Sequence, residues 1–202
     1  GYYVPGYLAV VVLFTPLSRV GSEVARHRED NRFEKLATTP LRRWEWLAAQ
    51  TLVNVGIIGV AAAGILLLVV AVTGASIVFS PLLVPFVVLG VALFCGLGAI
   101  LGSLSDSSDG VIAASNGIAL PLLFLSETFV PQSLLPEWLP LWVSPLTYFS
   151  RGVRAVAYEP PDTLATSQVP GGLGVAESNL LVLAALTLAF FVVGAVTLPR
   201  TD

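Results

Sequence analysis

The sequence predicts an all-α protein, a helical bundle that crosses a membrane about five times. Hydrophobic residues make up 55% of the 202 residues and charged residues only 11%, whereas a soluble domain carries about a quarter charged residues. Seven of the ten basic residues lie between residues 19 and 43. Such a cluster is typical of a cytoplasmic loop, because these loops collect Lys and Arg. No alternating strand pattern interrupts the apolar segments.

The first three segments are predicted from apolar runs, since about 20 such residues cross a bilayer. The first covers about 4–20 and is the shortest in strictly apolar residues. The second covers 47–72 and carries no charge. The third, at 81–104, has two prolines near its start, where a missing backbone N–H is tolerated.

Two further segments are predicted at 111–130 and 180–198. A polar turn at 105–110, rich in Ser and Asp, precedes the fourth segment and supplies residues that cap helix starts. The last segment is uninterrupted and free of charge. The fourth contains three residues that are unusual in a span, namely Asn116, Pro121 and Glu127.

The basic cluster predicts which side of the membrane each connection faces. It places 22–46 and 105–110 inside, and 73–80 and 131–176 outside. Arg151 and Arg154 then lie outside, against the general rule, but two basic residues do not outweigh seven. The chain contains no Met and begins within an apolar segment, so we expect a longer protein of which this is the C-terminal part.

The loop at 22–46 is the largest predicted cytoplasmic surface. A helix is predicted at 22–36, with Phe33 among the apolar residues and with charges that pair at helical spacing. Pro40 ends it, and Trp44 and Trp46 fit the aromatic belt of a membrane interface. The residues alone allow two interpretations, a topology-setting loop on lipid headgroups or a docking surface for a soluble partner.

The segment 131–158 is apolar but is broken by prolines and is too short to span. Such pieces are typical of re-entrant or interfacial helices, whose backbone is shielded by protein or lines an aqueous cavity. A helix is predicted over 146–158, with Arg151 and Arg154 spaced for one face. The alternative is a passive external cap.

Glu127 is the only acidic residue within a predicted span. A charge at the centre of a membrane costs about 2.5–3.5 kcal/mol on insertion scales, and less near an end. Glu127 is therefore expected to bind a cation, take up a proton, pair with Arg151 or Arg154, or reach water.

Enzyme chemistry is not predicted. No Gly-x-x-x-x-Gly-Lys-Ser/Thr phosphate loop is present. His27 and Cys95 lie in different segments, which argues against a shared metal, and Asp106 and Asp109 fit an ordinary turn. The basic residues alternate with acidic ones, so nucleic-acid binding is not expected.

Two groups of motifs carry a family resemblance. Residues 28–41 read REDNRFEKLATTPL; the outer part reads FLSETFVP at 124–131, LPEWL at 135–139 and SPLTY at 144–148, followed by two arginines. In this order they resemble the type-2 ATP-binding-cassette (ABC) exporter permeases. The chain departs from the family pattern at Asn31-Arg32, where Gly-Thr is usual, and at Glu127, where Gly is usual.

The resemblance implies a permease with six spans, of which the chain would lack the N-terminal one. It also implies a permease dimer with two separate ABC ATPase subunits, so that ATP binds the partner and this chain needs no cofactor. ATPase coupling is assigned to Glu29, Arg32, Phe33 and Glu34. An external gate is assigned to Glu127, Trp138, Arg151 and Arg154.

The expected function is the outward movement of a hydrophobic or amphipathic substrate, such as a drug, lipid or glycan. The expected location is the plasma membrane of a prokaryote, with membrane lipid around the spans. Two alternatives come from other classes, a non-transporting membrane scaffold or assembly factor, and an ion-coupled carrier that uses Glu127.

Overall fold

The computed structural model describes residues 4–30, 42–73, 81–126, 128, 140–157 and 174–198. Within these ranges the chain forms helices and no strand. The α-helices are α1 (Val4–Glu29), α2 (Arg43–Thr73), α3 (Leu83–Leu104), α4 (Ser108–Phe124), α5 (Pro145–Ala157) and α6 (Val175–Thr197), and a short 3-10 helix at Leu141–Val143 precedes α5.

The prediction of a helical membrane bundle is confirmed. Four of the described helices, α1, α2, α3 and α6, are long and apolar enough to cross a membrane. The remaining apolar helix, α4, has 17 residues and is about 25 Å long at 1.5 Å per residue. It is therefore shorter than the fifth span that the sequence predicts at 111–130.

The first helix is longer than predicted. A span at about 4–20 and a separate helix at 22–36 were expected, but α1 continues without a break through Arg19 to Glu29. Its last turn carries Arg26, His27 and Arg28, and cations are favourable at a helix C-terminus. Residues 22–29 thus belong to α1, while residues 31–36 lie outside the described ranges.

The fourth helix starts earlier and ends earlier than predicted. The Ser107 side chain caps its start by accepting a hydrogen bond from the Gly110 N–H at 3.1 Å. The helix ends at Phe124, three residues after Pro121. Proline has no backbone N–H, so it cannot donate a helical hydrogen bond. Leu125 and Ser126 form a turn, so the helix does not extend through the predicted end at residue 130.

Two other helices begin earlier than their apolar runs, and in each a glutamate in the first turn accepts a hydrogen bond from the backbone N–H that precedes the helix. The Arg42 N–H donates to Glu45 Oε2 at 2.8 Å, and α2 begins at Arg43 rather than 47. The Gly174 N–H donates to Glu177 Oε2 at 3.3 Å, and α6 begins at Val175 rather than 180. A glutamate three residues into a helix commonly binds the N-cap N–H in this way.

The third helix occupies the centre of the bundle and packs against α1, α2, α5 and α6. Glycines allow its backbone to approach two neighbours closely. A Cβ atom added at Gly98 would lie 2.7 Å from the Leu17 carbonyl oxygen of α1. One added at Gly96 would lie 2.6 Å from the Phe190 carbonyl oxygen of α6. Both distances are shorter than a real side chain permits.

The helix ends gather at two levels. The end of α1 is hydrogen-bonded to the end of α3 and to the start of α4. The start of α2 is hydrogen-bonded to the end of α6. We call this level, which contains 22–30, 42–46 and 105–110, the inner end, and the opposite level, which contains α5, the outer end. The grouping agrees with the predicted alternation of the connections.

Replacing Gly98 by Ala should lower stability, because backbone atoms of Leu17 and Gly21 surround the new methyl group. The expected loss is about 1–3 kcal/mol, the usual cost of overpacking. The measurement is the thermal unfolding midpoint of the purified full-length protein in detergent.

Gly117→Ala is the matched control, since the corresponding Cβ on α4 meets nothing within 4 Å. It should leave the midpoint unchanged or raise it slightly, because alanine favours the helix. Equal midpoints for the two variants would contradict the close α1–α3 contact.

Candidate functional site

The predicted site residues divide between described and undescribed parts of the chain. The structure places Glu29 at the end of α1, and Arg151 and Arg154 on α5. The other predicted site residues lie outside the described ranges, namely Arg32, Phe33, Glu34, Glu127 and Trp138. The structure describes the helices that come before and after these residues in the chain.

Arg28 binds the C-terminal end of α3. Its Nη1 donates to the carbonyl oxygens of Ser103 at 2.7 Å and Ser105 at 3.0 Å. The last carbonyls of a helix have no partner within the helix and carry partial negative charge. A guanidinium therefore suits this position, and it fixes the end of α1 to the end of α3.

Glu29, the next residue, binds the start of α4. Its Oε1 accepts a hydrogen bond from the Ser108 N–H at 3.1 Å, and a carboxylate is favourable at a helix N-terminus. Adjacent residues of opposite charge thus hold the two helix ends that flank the 105–107 turn. We call Arg28, Glu29 and Arg43 the loop base, because they lie on either side of residues 31–41.

Arg43 attaches the other side of the loop base to α6. Its Nη1 donates to the carbonyl oxygens of Leu198 at 2.8 Å and Val196 at 3.4 Å. Nearby, the rings of His27 and Trp46 meet edge to face with their centroids 5.5 Å apart. The chain entering residues 31–41 is therefore joined to α3 and α4, and the chain leaving them is joined to α6.

At the outer end, α5 is a 13-residue amphipathic helix that is too short to span a bilayer. Leu146, Phe149 and Val153 are fully buried. Gly152 lies directly against the Phe86 ring of α3. The sequence prediction of a helix over 146–158 is close to the observed bounds, and Arg151 and Arg154 both lie on it, partly exposed.

Five hydroxyl groups connect α5 to the end of α4. We call them the outer hydroxyl cluster, and each residue is at most 1% exposed: Ser126, Thr128, Ser144, Thr147 and Ser150. Ser144 Oγ donates to the Leu122 carbonyl at 3.0 Å. Thr147 Oγ1 lies 3.0 Å from the Leu125 carbonyl oxygen and 2.7 Å from that of Leu141, and its proton is shared between them.

The remaining members of the outer hydroxyl cluster extend this connection. Ser126 donates to the Leu123 carbonyl at 2.7 Å and is hydrogen-bonded to Thr128. Thr128 Oγ1 in turn lies 3.1 Å from Ser150 Oγ. The last carbonyls of α4 thereby receive donors where water is excluded, which a helix end within a membrane requires.

Together, the loop base and the outer hydroxyl cluster hold α4 at both of its ends. Ser108 is held by Glu29, and the carbonyls of Leu122 and Leu125 are held by α5 and the residue before it. The middle of α4 packs mainly on α1. The α4 helix is therefore in contact with both the loop base and the outer hydroxyl cluster.

The sequence interpretation did not identify the hydroxyl cluster or the arginine contacts. The recurrence of Ser144, Thr147 and Ser150 every three residues was the available signal, since it places three hydroxyls along one side of a helix. Arg28 and Arg43 donate to main-chain carbonyl oxygens. Every residue has such a carbonyl, so the sequence does not indicate which one an arginine binds.

The structure offers no evident metal or acid–base centre in the ranges it describes. No group of three or more His, Cys, Asp or Glu among these residues is placed to hold a metal ion. Asp106 and Asp109 lie on either side of Ser107, whose side chain caps α4. Their turn is therefore explained as a helix start.

Comparison with known proteins identifies one family. The family described as ABC-2 type transporter matches residues 1–158, which is more than half of the chain. No curated protein matches the chain.

Replacing Thr147 by Val should destabilise the outer end, because the Leu125 carbonyl loses the Thr147 hydroxyl and the Leu141 carbonyl keeps only the Ser144 N–H at 3.4 Å, while the side-chain volume is retained. The expected loss is about 1–3 kcal/mol, the penalty for buried polar groups left without a partner. Thermal unfolding of the purified full-length protein measures it.

Thr51→Val is the matched control. The Thr51 hydroxyl is also buried and is hydrogen-bonded to the weakly polar Cys95 thiol, but the only carbonyl that it contacts is that of Leu47 within α2. That carbonyl keeps its helical hydrogen bond after the substitution. A loss as large for Thr51→Val as for Thr147→Val would show that the outer hydroxyl cluster has no special stabilising role.

Proposed function

The chain belongs to the ABC-2 type transporter family, and we propose that it exports a hydrophobic or amphipathic molecule with ATP hydrolysed by a separate subunit. Family membership and four span-length helices make it a multi-pass membrane permease. The outward direction, the ATP-hydrolysing partner and the substrate class of drug, lipid or glycan belong to the proposal. So does the plasma membrane of a prokaryote as its location.

The loop base is the observation that best supports ATP-driven coupling. Arg28 and Glu29, before residues 31–41, bind the end of α3 and the start of α4, and Arg43, after them, binds the end of α6, all through charge-assisted hydrogen bonds. A partner that moves this loop would therefore move three helices as well as α1 and α2. A loop whose only role is to set topology needs no such attachment.

We infer that the ATPase contacts Arg32, Phe33 and Glu34, with Glu29 at the edge of the contact. Charged residues orient such an interface, and a buried aromatic residue supplies much of its affinity. Glu29 is exposed although it binds Ser108, so it remains accessible to a partner. A permease dimer with two ATPase subunits would bind ATP on those subunits and not on this chain.

At the outer end, we infer that 131–158 closes the transport path as a gate. The packing of α5 against Phe86 of α3 supports this inference. This contact holds the helical second half of 131–158 against the bundle. Arg151 and Arg154 are placed on that helix, and Glu127 follows the end of α4 by three residues in the sequence. Trp138 and a pairing of Glu127 with either arginine complete the proposed gate.

The double variant Phe33→Ala, Glu34→Ala should abolish co-purification of the ATPase from native membranes, because it removes the apolar anchor and a charge from the docking surface. The measurement is the amount of ATPase recovered with a tagged permease. A separate reading of ATP hydrolysis by the recovered complex shows whether residual partner is active.

Leu104→Ala, Asp106→Ala is the matched control for this experiment. It also removes one large apolar and one acidic side chain, both exposed at the inner end, and it should leave recovery unchanged. Full recovery with the Phe33, Glu34 variant would remove this loop as the docking surface and favour the scaffold alternative. Equal losses for the two variants would mean that docking is not specific to residues 31–41.

Labelling with an impermeant thiol reagent should modify Ser167→Cys, but not Asp106→Cys, in intact cells expressing a Cys95→Ala protein. The basic cluster places the 105–110 turn inside and 131–176 outside. Asp106 is exposed, whereas Ser22 is only 8% exposed and is unsuitable as an inner marker. Permeabilised cells provide the control in which both positions react, and the reverse pattern in intact cells would contradict the orientation.

A further inference from the structure

Residues 42–44 bring two arginines and an exposed tryptophan together at the inner end. The side chains of Arg42 and Trp44 are both exposed. Arg43 lies between them in the chain, so the Cα atom of each neighbour is about 3.8 Å from its own. A ligand that binds beside Arg43 therefore lies within reach of the long, flexible side chain of Arg42.

The contacts of Arg43 place these residues beside the end of α6. Its Nη1 donates to the carbonyl oxygens of Leu198 at 2.8 Å and Val196 at 3.4 Å. A guanidinium has five N–H groups, and those on Nε and Nη2 of Arg43 have no hydrogen-bond partner among the described residues. Arg43 can therefore bind a further acceptor while it stays attached to α6.

Positive charge exceeds negative charge at this position. No hydrogen bond or ion pair joins the Arg42 guanidinium to the described residues. Glu45 is the acidic residue in the first turn of α2, and its Oε2 accepts the Arg42 backbone N–H at 2.8 Å. The stretch 178–198, which contains the end of α6, carries no charge. Two arginines thus stand beside one carboxylate, and the excess positive charge attracts an anion.

An apolar surface extends from Arg43 along α6. Val196, whose carbonyl oxygen accepts from Arg43, has an exposed side chain. Val192 and Leu188 precede it at intervals of four residues and are exposed too, so these side chains lie on one face of the helix. Because α6 is long and apolar enough to cross a membrane, a hydrocarbon chain can lie along this face with its polar end at Arg43.

A phospholipid fits both the basic and the apolar part of this surface, whereas a free anion fits only the basic part. Guanidinium groups donate paired hydrogen bonds to phosphate oxygens. Tryptophan favours the membrane interface, where its ring contacts hydrocarbon and its N–H contacts headgroups. The Trp44 indole N–H has no partner among the described residues. Anionic lipids of the cytoplasmic leaflet are attracted by basic residues next to spans.

We propose that Arg42, Arg43 and Trp44 bind an anionic phospholipid in the leaflet at the inner end, with an acyl chain along the exposed face of α6 that contains Val196. The two arginines contact the phosphate and the rest of the headgroup, and Trp44 lies at the boundary between headgroup and hydrocarbon. The lipid then contacts α2 and α6 where Arg43 joins them. This inference goes beyond the proposed function, since it concerns neither the ATPase nor the transported molecule.

The test is lipid binding by the purified full-length permease in detergent, measured by native mass spectrometry. The probes are phosphatidylglycerol and phosphatidylcholine with identical acyl chains, offered in equal amounts. The wild type should retain phosphatidylglycerol in preference, by roughly fivefold for each arginine that contacts it. Arg42→Gln should lower this preference about fivefold, Arg42→Lys should retain much of it, and Trp44→Ala should lower phosphatidylglycerol retention.

Arg26→Gln is the matched control, because it removes the same charge elsewhere at the inner end. Arg26 is also exposed, but it lies on α1, which does not contact α6 within the described ranges. The preference should be unchanged in this variant. Free glycerol phosphate, added at the concentration of the lipids, should not displace phosphatidylglycerol, because it lacks the acyl chains that contact α6.

Equal retention of the two lipids by the wild type overturns the inference, as does a preference that is unchanged in Arg42→Gln. Equal losses in Arg42→Gln and Arg26→Gln would show that total charge and not a defined site attracts the lipid, and displacement by glycerol phosphate would show that the anion alone binds; either result also overturns it. If Arg42→Gln fails to fold, undiminished phosphatidylglycerol retention in Trp44→Ala contradicts the site. The assay contains no ATPase, so its failure is separate from a failure of ATPase co-purification.

Discussion

The close backbone approach of α3 to α1 and α6 is the contact on which the rest of the bundle depends. Lipid tails are as apolar as leucine, so the helices gain little from leaving lipid and must associate through close packing. Gly98 and Gly102 face α1, while Gly96 and Gly194 bring α3 against α6. Because α3 is held on two sides at backbone distance, the ends of α1 and α6 are brought to defined positions at the inner end.

That placement makes the polar contacts at the helix ends possible. Arg28 reaches the α3 carbonyls only because α1 lies directly against α3, and Glu29 then meets the start of α4. At the outer end, Phe86 of α3 packs on Gly152, which seats α5 where Thr147 meets the end of α4. The short α4 thereby connects a charged inner surface to a buried outer helix.

The proposed transport function uses these features at the two ends of the bundle. The loop base offers a partner ATPase a surface that is attached to several helices. The outer hydroxyl cluster joins α5 to the end of α4. Each level depends on polar groups that are expensive to bury without partners.

The sequence by itself determined the fold class, the spans α2, α3 and α6, and the grouping of the connections, because apolar length and charge distribution are local properties. The motifs around Pro40 and Pro145 also sufficed to identify the family that the chain matches. Helix starts at Arg43 and Val175 were missed by four and five residues, since glutamate capping extends a helix beyond its apolar run.

Only the tertiary structure decided the contacts between distant residues. Arg28 and Arg43 bind carbonyls 75 and 155 residues away, and a carbonyl carries no side-chain signal. The carbonyls at the end of α4 are satisfied by hydroxyls of Ser144 and Thr147, whereas the sequence prediction continued this span to residue 130. Likewise, the exposure of Arg19 follows from which sides of α1 its neighbours cover, and helix packing alone determines that.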